Sequence, residues 1–498
     1  MAKTEYDIPP FREFAETPAI KEDSMAHLSP FIAKPNHQED LGFPGELVDD
    51  WERKAVDKLG ELLKKYRSLQ VYLDACVKCG ACTDKCHYYI GTQDPKNMPV
   101  ARQDLLRSLY RKHFTLGGKL APGLVGAKEM DKAMLDEWYS YYHQCSQCRR
   151  CSVFCPYGID TAEISMAARE IMDHIGVGQK YCNEILGKVH KIGNNLGLPE
   201  AALKDTLLDL EEEVEEDTGF AVKYPVDVHG ADVLLVTPSA DFFAEPHIDG
   251  LIGYGKVFHQ AGISWTTSSY ASEAANFAMF IGSYDQMHLV ANRIRKAALD
   301  LGVKRIVFGE CGHAWRVAYS FLNTLAGPWD FLDPKYPVPQ HICEFTSDMI
   351  DRDAIKLDKE ANDHMTITMH DSCNVARASR MGDTPGGQFE LPRKIIRATT
   401  NNFVEMHPDT THEKTFCCGG GGGLLTDDLM ELRTKGALPR MEALKDVVDN
   451  HGVTNMVAIC AICKSQFSKT LPQYGFGMDM IISLHQLVSD AIQLGTKE

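Results

Sequence analysis

Eight cysteines constrain this chain more than any other feature. They fall in two runs of one spacing, Cys76-Val-Lys-Cys79-Gly-Ala-Cys82-Thr-Asp-Lys-Cys86 and Cys145-Ser-Gln-Cys148-Arg-Arg-Cys151-Ser-Val-Phe-Cys155-Pro156. Each reads C-x2-C-x2-C-x3-C, so the fold must close two tight loops around something that needs thiolates. Three thiolates in one such loop reach three irons of a [4Fe–4S] cubane. Structural zinc prefers four ligands from paired C-x2-C hooks. The doubled run therefore points to two [4Fe–4S] cubanes, with zinc as the competing assignment. The chain has 498 residues and 16 cysteines, a number that would suggest disulfides in a small secreted protein. Its start, MAKTEYDIPPFREF, has no basic segment followed by an apolar one, so intracellular metal or redox chemistry is expected instead.

The formal net charge is −17, and no basic run or stripe shows that would track phosphates, so no nucleic-acid partner is expected. No apolar stretch reaches the ~18 residues that span a bilayer. A membrane role is therefore expected only through partner subunits.

Patterning divides the chain. Residues 1–50 carry Pro9, Pro10, Pro18, Pro30, Pro35 and Pro44 and read as an extended arm. Residues 51–195 read as an α-helical domain interrupted by the two cysteine loops. Helical spacing runs over 51–72 (Val56, Leu59, Leu62, Leu63, Tyr66), 99–114, 128–143 and 160–192. Residues 196–228 form an acidic linker, with a solvated helix expected over 205–217. After residue 228 short apolar strands, at 233–237, 305–308, 366–369 and 455–459, alternate with helical segments, which is α/β patterning.

The second half repeats itself. GVKRIVFGECGHAWR from Gly302 matches GVTNMVAICAICKSQ from Gly452, and CEFTSDMI from Cys343 matches HQLVSDAI from His485. LLVTPSADF from Leu234 matches ITMHDSCNV from Ile367, and NFAMFIG from Asn276 matches TFCCGGG from Thr415. Four matches in one order imply two copies of one fold, residues 229–350 and 351–498, related by a pseudo-twofold. The expected class is α plus α/β: a helical two-cluster domain followed by two tandem α/β domains.

In two-cluster ferredoxins the fourth cysteine of each motif ligates the other cluster. On that resemblance, cluster one takes Cys76, Cys79, Cys82 and Cys155, and cluster two takes Cys145, Cys148, Cys151 and Cys86. His87 stands where a proline usually follows the fourth cysteine. The long helical insert between the motifs resembles the two-cluster domain of fumarate reductase iron–sulfur subunits and heterodisulfide reductase subunits.

The second α/β copy adds Cys373, the pair Cys417-Cys418 before Gly419–Gly423, and Cys460-Ala-Ile-Cys463. Five thiolates at one sheet edge exceed the needs of one cubane, and the glycines permit a close backbone approach. The run lacks the Lys-Ser/Thr ending of a phosphate loop. The pattern C…CCG…CxxC resembles the CCG domain of heterodisulfide reductases and glycolate oxidase iron–sulfur subunits. Over residues 70–498 the layout is similar to the K-type subunits of membrane complexes associated with dissimilatory sulfite reductase, which resemble the D-type subunits of membrane-bound heterodisulfide reductase. The resemblance implies a special [4Fe–4S]-type cluster that reacts with sulfur at Cys373, Cys417, Cys418, Cys460 and Cys463. It also implies a haem b membrane subunit among the other subunits of the complex, the sulfur-carrier protein DsrC as substrate, and a cytoplasmic, peripheral position on the inner membrane.

In the first copy Ala240, Ala278, Met279, Glu310 and His313 stand at the cysteine positions, so that copy should hold no cluster. Cys311 survives beside them, either as a buried small side chain or as a thiol facing the real site. Cys182 and Cys343 read as structural. His370, Asp371, Arg377, Arg380 and Lys464 lie near cluster cysteines in sequence, with surface ion pairing as the plainer reading. The expected activity is heterodisulfide reductase-like. The alternative is a non-catalytic electron-transfer subunit of a flavin-dependent glycolate or lactate oxidase-type complex.

Overall fold

The apolar spacing over 51–72 yields two helices, Trp51–Lys65 and Arg67–Ala75, with a break at Tyr66 where the backbone is extended. In this computed structural model residues 47–495 are described, Phe243 excepted. The arm expected over residues 1–50 lies outside them apart from its last four residues. Leu59, Leu62, Leu69 and Leu73 from the two helices are buried with Leu106, Leu109, Trp138, Tyr142, Ile164 and Ile171. The last six sit on helices Pro99–Phe114, Lys132–His143 and Thr161–His174. Pro99 occupies the first helical turn, where its missing N–H costs nothing. Asp131 and Asp160 cap the other two helices by accepting from Met134 N and from Ala162 N and Glu163 N.

The acidic helix, Glu200–Thr218, is not merely a solvated linker. Its stripe of Leu203, Leu207, Leu210 and Val214 is buried in the core of the first sheet. The helix Lys180–Ile192 also leaves the helical half: it packs on Ala275–Ile281, with Tyr181 edge-on to Phe277 at 5.9 Å.

Two parallel sheets follow. Strands β1 (Val233–Val236), β2 (Trp265–Thr266), β3 (Arg305–Phe308) and β4 (Gln340–His341) form the order β2-β1-β3-β4. Strands β5 (Ile367–His370), β6 (Asn455–Ala458) and β7 (Ile481–Ile482) form β5-β6-β7, and a parallel bridge from Ile367 to Phe403 supplies the position of β2. The register runs Val236 to Phe308 in one sheet and His370 to Ala458 in the other. The helix contacts between the units are reciprocal. His247–Ala261, after β1, packs on Leu484–Ala491, after β7, while Gly387–Thr399, after β5, packs on Ile342–Asp351, after β4. Gly253 makes the first crossing close: a Cβ there would lie 2.0 Å from His485 O.

A fully buried ion pair joins the two units. Lys464 Nζ lies 3.2 Å from Glu310 Oε2, and Glu310 Oε1 accepts from His485 N (2.9 Å) and His485 Nδ1 (2.7 Å). Burial would raise the Glu310 carboxyl, but Lys464 and His485 hold it down at about 2. Lys464 is thus no surface pairing residue. Removing one partner of such a pair costs about 3–5 kcal/mol, because the other charge stays buried. Glu310→Ala should therefore lower the free energy of unfolding, read from urea denaturation by far-UV circular dichroism, by that much and shift the midpoint down. Adding Lys464→Met should restore part of the loss; an unchanged midpoint in the single variant would show that the pair does not join the units.

Candidate iron–sulfur centres

The two cysteine loops fold alike. Lys78 and Gly80 have positive φ (57° and 80°), and Gln147 and Arg149, at the same offsets in the second loop, have 55° and 61°. Two left-handed residues per loop turn the backbone around its thiols. One cavity is lined by Cys76, Cys79, Cys82, Cys151 and Cys155. A second is lined by Cys86, Cys145, Cys148 and Cys151. Cys155 thus lines one cavity with Cys76, Cys79 and Cys82, Cys86 lines the other with Cys145 and Cys148, and Cys151 lines both. Cys79 is exposed, whereas Cys86 is buried. Arg102 Nη1 donates to Cys86 Sγ at 3.5 Å and is itself held by Asn97 and the Tyr141 carbonyl. Burial raises the Cys86 thiol, but Arg102 and His87 outweigh it and lower its pKa.

The C-terminal cysteines gather where strands β5 and β6 end. Cys373 opens helix Cys373–Ala378 after β5, and Cys460 caps helix Ala461–Thr470 after β6. In parallel α/β sheets this strand end is where ligands bind. Cys373 Sγ lies 3.9 Å from Cys417 Sγ. Contacts continue from Cys417 to Cys418, from Cys418 to Cys463 and from Cys463 to Cys460. Gly419 N and Gly420 N donate to Cys417 and Cys418 at 3.4 and 3.5 Å. All five side chains are buried.

Two further thiols join this set. Cys148 of the second ferredoxin loop contacts Cys417. Cys311 of the first α/β unit contacts Cys460 and accepts from Ala314 N. Cys182 and Cys343 join no set: Cys182 donates to Gln179 Oε1 at 2.9 Å and Cys343 packs in the first sheet's core.

The glycine run serves a neighbour. A Cβ at Gly422 would lie 2.7 Å from Cys145 O, and one at Gly423 would lie 2.7 Å from Cys182 Sγ. Both have positive φ, 73° and 87°. Bare backbone is what lets the C-terminal loop press on the second ferredoxin loop.

In the first unit four of the aligned residues, Ala278, Met279, Glu310 and His313, are buried, while Ala240 is partly exposed. Where the second unit has the Cys417-Cys418 loop, the first has helix Ala275–Ile281, with Phe277, Ala278, Met279 and Phe280 buried. Phe280 packs edge-on to His313 at 5.1 Å. His313 Nδ1 is 3.6 Å from Cys460 Sγ.

Comparison with known proteins places this geometry. Residues 72–159 match the family model of the 4Fe-4S dicluster domain, and residues 367–468 that of the cysteine-rich CCG domain. The Hdr-like menaquinol oxidoreductase iron–sulfur subunit of Archaeoglobus profundus is 42% identical over 452 residues, 85% of this chain and 80% of the relative. The chain belongs to this family of iron–sulfur subunits. The corresponding subunit 2 of Archaeoglobus fulgidus is 41% identical over 86% of this chain and 81% of its own. The D-type subunit of the dihydromethanophenazine:CoB–CoM heterodisulfide reductase of Methanosarcina barkeri is 26% identical over 85% of this chain and 95% of its own. The expected likeness to heterodisulfide reductase subunits is therefore present along most of the chain.

Several residues at the centres of this Hdr-like subunit were not legible from motifs. His87 donates from Nδ1 to Gly436 O at 2.7 Å, has Ser146 Oγ 2.7 Å from Nε2 and contacts Cys417. Its departure from proline was visible in the sequence, but its reach was not. His370 and Asp371, read as surface groups, are buried; Asp371 holds Arg393 with two bonds of 2.8 and 2.9 Å. Arg377 donates to Cys148 O and Thr415 O, tying the two sets of loops, whereas Arg380 is exposed.

Six buried arginines have no carboxylate within ion-pair distance among the described residues: Arg305, which stacks on Tyr336 and Phe345, and five nearer the cysteine loops, Arg102, Arg150, Arg169, Arg316 and Arg440. A hint lay in Arg102, which shares the apolar helix face of Leu106 and Leu109. Buried cations need anions close by, and thiolate-bound iron–sulfur clusters are anionic, so the cysteine sets fit such groups. Among the described residues no three His, Cys, Asp or Glu side chains are placed to hold a single metal ion.

The crossed sets make a direct test. Cys86→Ala should remove the EPR signal of the cluster held by Cys145, Cys148 and Cys151 and leave the signal of the Cys76 set. Loss of only the Cys76 signal would show the uncrossed arrangement.

Proposed function

We propose that the chain relays electrons within a membrane complex, between a quinone-linked partner and a sulfur-reactive centre at the C-terminal cysteines. The observation that carries this reading is that Cys148 packs against the core that holds Cys373, Cys417 and Cys418, with Arg377 bridging Cys148 O and Thr415 O. It makes one thiol line from exposed Cys79 through both ferredoxin sets to buried Cys460 and Cys311. The proposed ligands are Cys76, Cys79, Cys82 and Cys155 for one [4Fe–4S] cubane, and Cys86, Cys145, Cys148 and Cys151 for the other. Cys373, Cys417, Cys418, Cys460 and Cys463 hold the special [4Fe–4S]-type cluster. When bound, these groups supply one-electron transfer and an iron centre open to sulfur. The chain's own share is to hold thiolates: backbone N–H groups of Gly419 and Gly420 donate to sulfur, and the buried arginines offset negative charge.

Menaquinol appears in the names of the Archaeoglobus relatives and a disulfide substrate in that of the Methanosarcina relatives. In keeping with both, we assign a haem b membrane subunit as electron partner and a disulfide or dithiol of the sulfur-carrier protein DsrC as substrate. The chain then sits on the cytoplasmic side of the inner membrane. Among the described residues no helix is long and apolar enough to cross a membrane, so partners supply the spanning segments. The division at 51–195, 196–228, 229–350 and 351–498, with a pseudo-twofold between the last two, is supported by the matching strand orders and the reciprocal helix contacts.

One observation favours the competing reading. All five C-terminal cysteines are buried, which suits a plain relay in a flavin-dependent glycolate or lactate oxidase-type complex. Partner and turnover separate the two. The proposed reading expects a haem b spectrum in the purified complex and about twelve irons per chain, from three four-iron clusters. It also expects an EPR signal of the oxidised protein that changes shape on adding the reduced carrier. Cys418→Ala should abolish that signal and thiol oxidation while both ferredoxin clusters persist. Near-normal carrier turnover by the variant, or a flavin partner, would hand the function to the relay reading.

A further inference from the structure

Between helices Pro99–Phe114 and Lys132–His143 the chain makes two short helices, Leu116–Leu120 and Pro122–Val125. Leu116, Leu120 and Leu124 stand four residues apart and are 79%, 84% and 89% exposed, the most exposed large apolar side chains among the described residues. They are not on a loose loop. Thr115 Oγ1 accepts from Gly118 N at 3.1 Å and donates to Arg111 O at 2.9 Å. A Cβ at Gly118 would lie 1.7 Å from Arg111 O, so the first short helix folds hard against its predecessor. Arg111 Nη1 donates to Val125 O at 2.8 Å and ties down the far end. The result is a fixed convex knob that shows three leucines to water.

The knob is also the basic part of an acidic chain. Residues 111–128 contain Arg111, Lys112, His113, Lys119 and Lys128 and no Asp or Glu, within a net charge of −17. Arg111, Lys112 and His113 are consecutive, and Lys119 and Lys128 follow at wider spacing. Lys112 and His113 pair with Glu129 at the base of the knob, at 2.8 and 3.0 Å. Lys119 and Lys128 are exposed and have no carboxylate partner among the described residues. A groove runs from the knob to Lys78, in the loop that carries exposed Cys79; it is lined by Arg107 and Lys128 and by the carboxylates Asp74, Asp104, Glu129, Asp131 and Glu137, so the cationic face is confined to the knob itself.

Exposed leucines flanked by unpaired lysines are the chemistry of interfacial anchoring: apolar tips enter the acyl boundary while cations meet anionic headgroups. A pocket on another protein would more simply take an apolar face than three separate tips divided by Gly117, Gly118 and Gly123. We propose that residues 116–125 seat this chain directly on an anionic lipid bilayer. The contact belongs to the chain itself, so it stands whether or not the partner and substrate proposed above are right. It would hold the exposed Cys79 edge at the membrane surface.

The test uses the purified full chain with phosphatidylcholine vesicles, with and without about 30% phosphatidylglycerol, in a sedimentation assay. Wild type should bind the anionic vesicles, and binding should weaken as salt rises through the range where the Debye length shortens. L116S/L120S/L124S should lower the affinity about tenfold or more, and K119E/K128E should abolish the preference for anionic lipid. Iron content and circular dichroism should be unchanged in both, since these side chains face water. In L120W, brominated lipid should quench the added fluorescence. The proposal falls if wild type ignores anionic vesicles, or if both variants bind as wild type does. It also falls if the leucine variant loses only its membrane partner protein, with vesicle binding absent throughout.

Discussion

Close backbone approach between the ferredoxin half and the C-terminal unit governs this structure. Helix His87–Thr92 crosses helix Met430–His451 so tightly that a Cβ at Gly91 would lie 1.7 Å from Lys435 O, and one at Gly436 would lie 2.5 Å from the Tyr88 ring. His87 and Tyr88 then donate to Gly436 O and Gly419 O. The glycine run completes the contact against Cys145 and Ser146. Side chains at these points would push the two halves apart by the width of a methyl group or more, and Cys148 would lose Cys417. Electron transfer between centres depends steeply on separation, so a handful of glycines decides whether the thiol line is continuous.

Arg169 locks the same junction from the other side. Its guanidinium donates to Tyr142 O, Cys145 O, Phe280 O and Gly422 O. Those carbonyls come from the helical half, the second ferredoxin loop, the first α/β unit and the glycine run. One planar fork with five donors can serve such divergent acceptors, which a lysine cannot do. The three cores are correspondingly mixed: Leu424, Leu429 and Leu432 of the C-terminal unit lie in the helical core, and Cys182 and Ile185 lie with the C-terminal cysteines.

Local rules were legible in the sequence, and long-range pairings were not. Cysteine spacing declared both ferredoxin loops, the helix expected over 99–114 is Pro99–Phe114, and the four-part repeat implied two copies of one α/β fold where the structure has two parallel sheets. Strand β3 has the expected ends; β5 and β6 differ by a residue, where ladders fray. The break at Tyr66 escaped because apolar spacing continues across it. The packing of Glu200–Thr218 escaped because its acidic face outnumbers its four apolar contacts. The first unit's site escaped for a different reason. That Glu310, Lys464 and His485 would neutralise one another needs both units folded and facing. Alignment names the residue that replaces a cysteine; it does not say what fills the space. Cys148 and Cys417 likewise belong to motifs that spacing treats as separate.

The five buried arginines nearer the cysteine loops have a consequence for how the protein is made. A guanidinium in the interior without a carboxylate is costly, and carbonyl dipoles offset only part of that cost. In the proposed assignment the missing counter-charge arrives with iron and sulfide, not with the polypeptide. Newly synthesised chain would thus repel itself at Arg102, Arg150, Arg169, Arg316 and Arg440 and stay ajar at the junction the glycines later close. An open junction is what an iron–sulfur donor protein needs in order to reach Cys460 and Cys463, which are sealed once the halves meet. In that assignment cofactor insertion and tertiary closure are thermodynamically coupled, as metal binding and folding are in small metallo-domains.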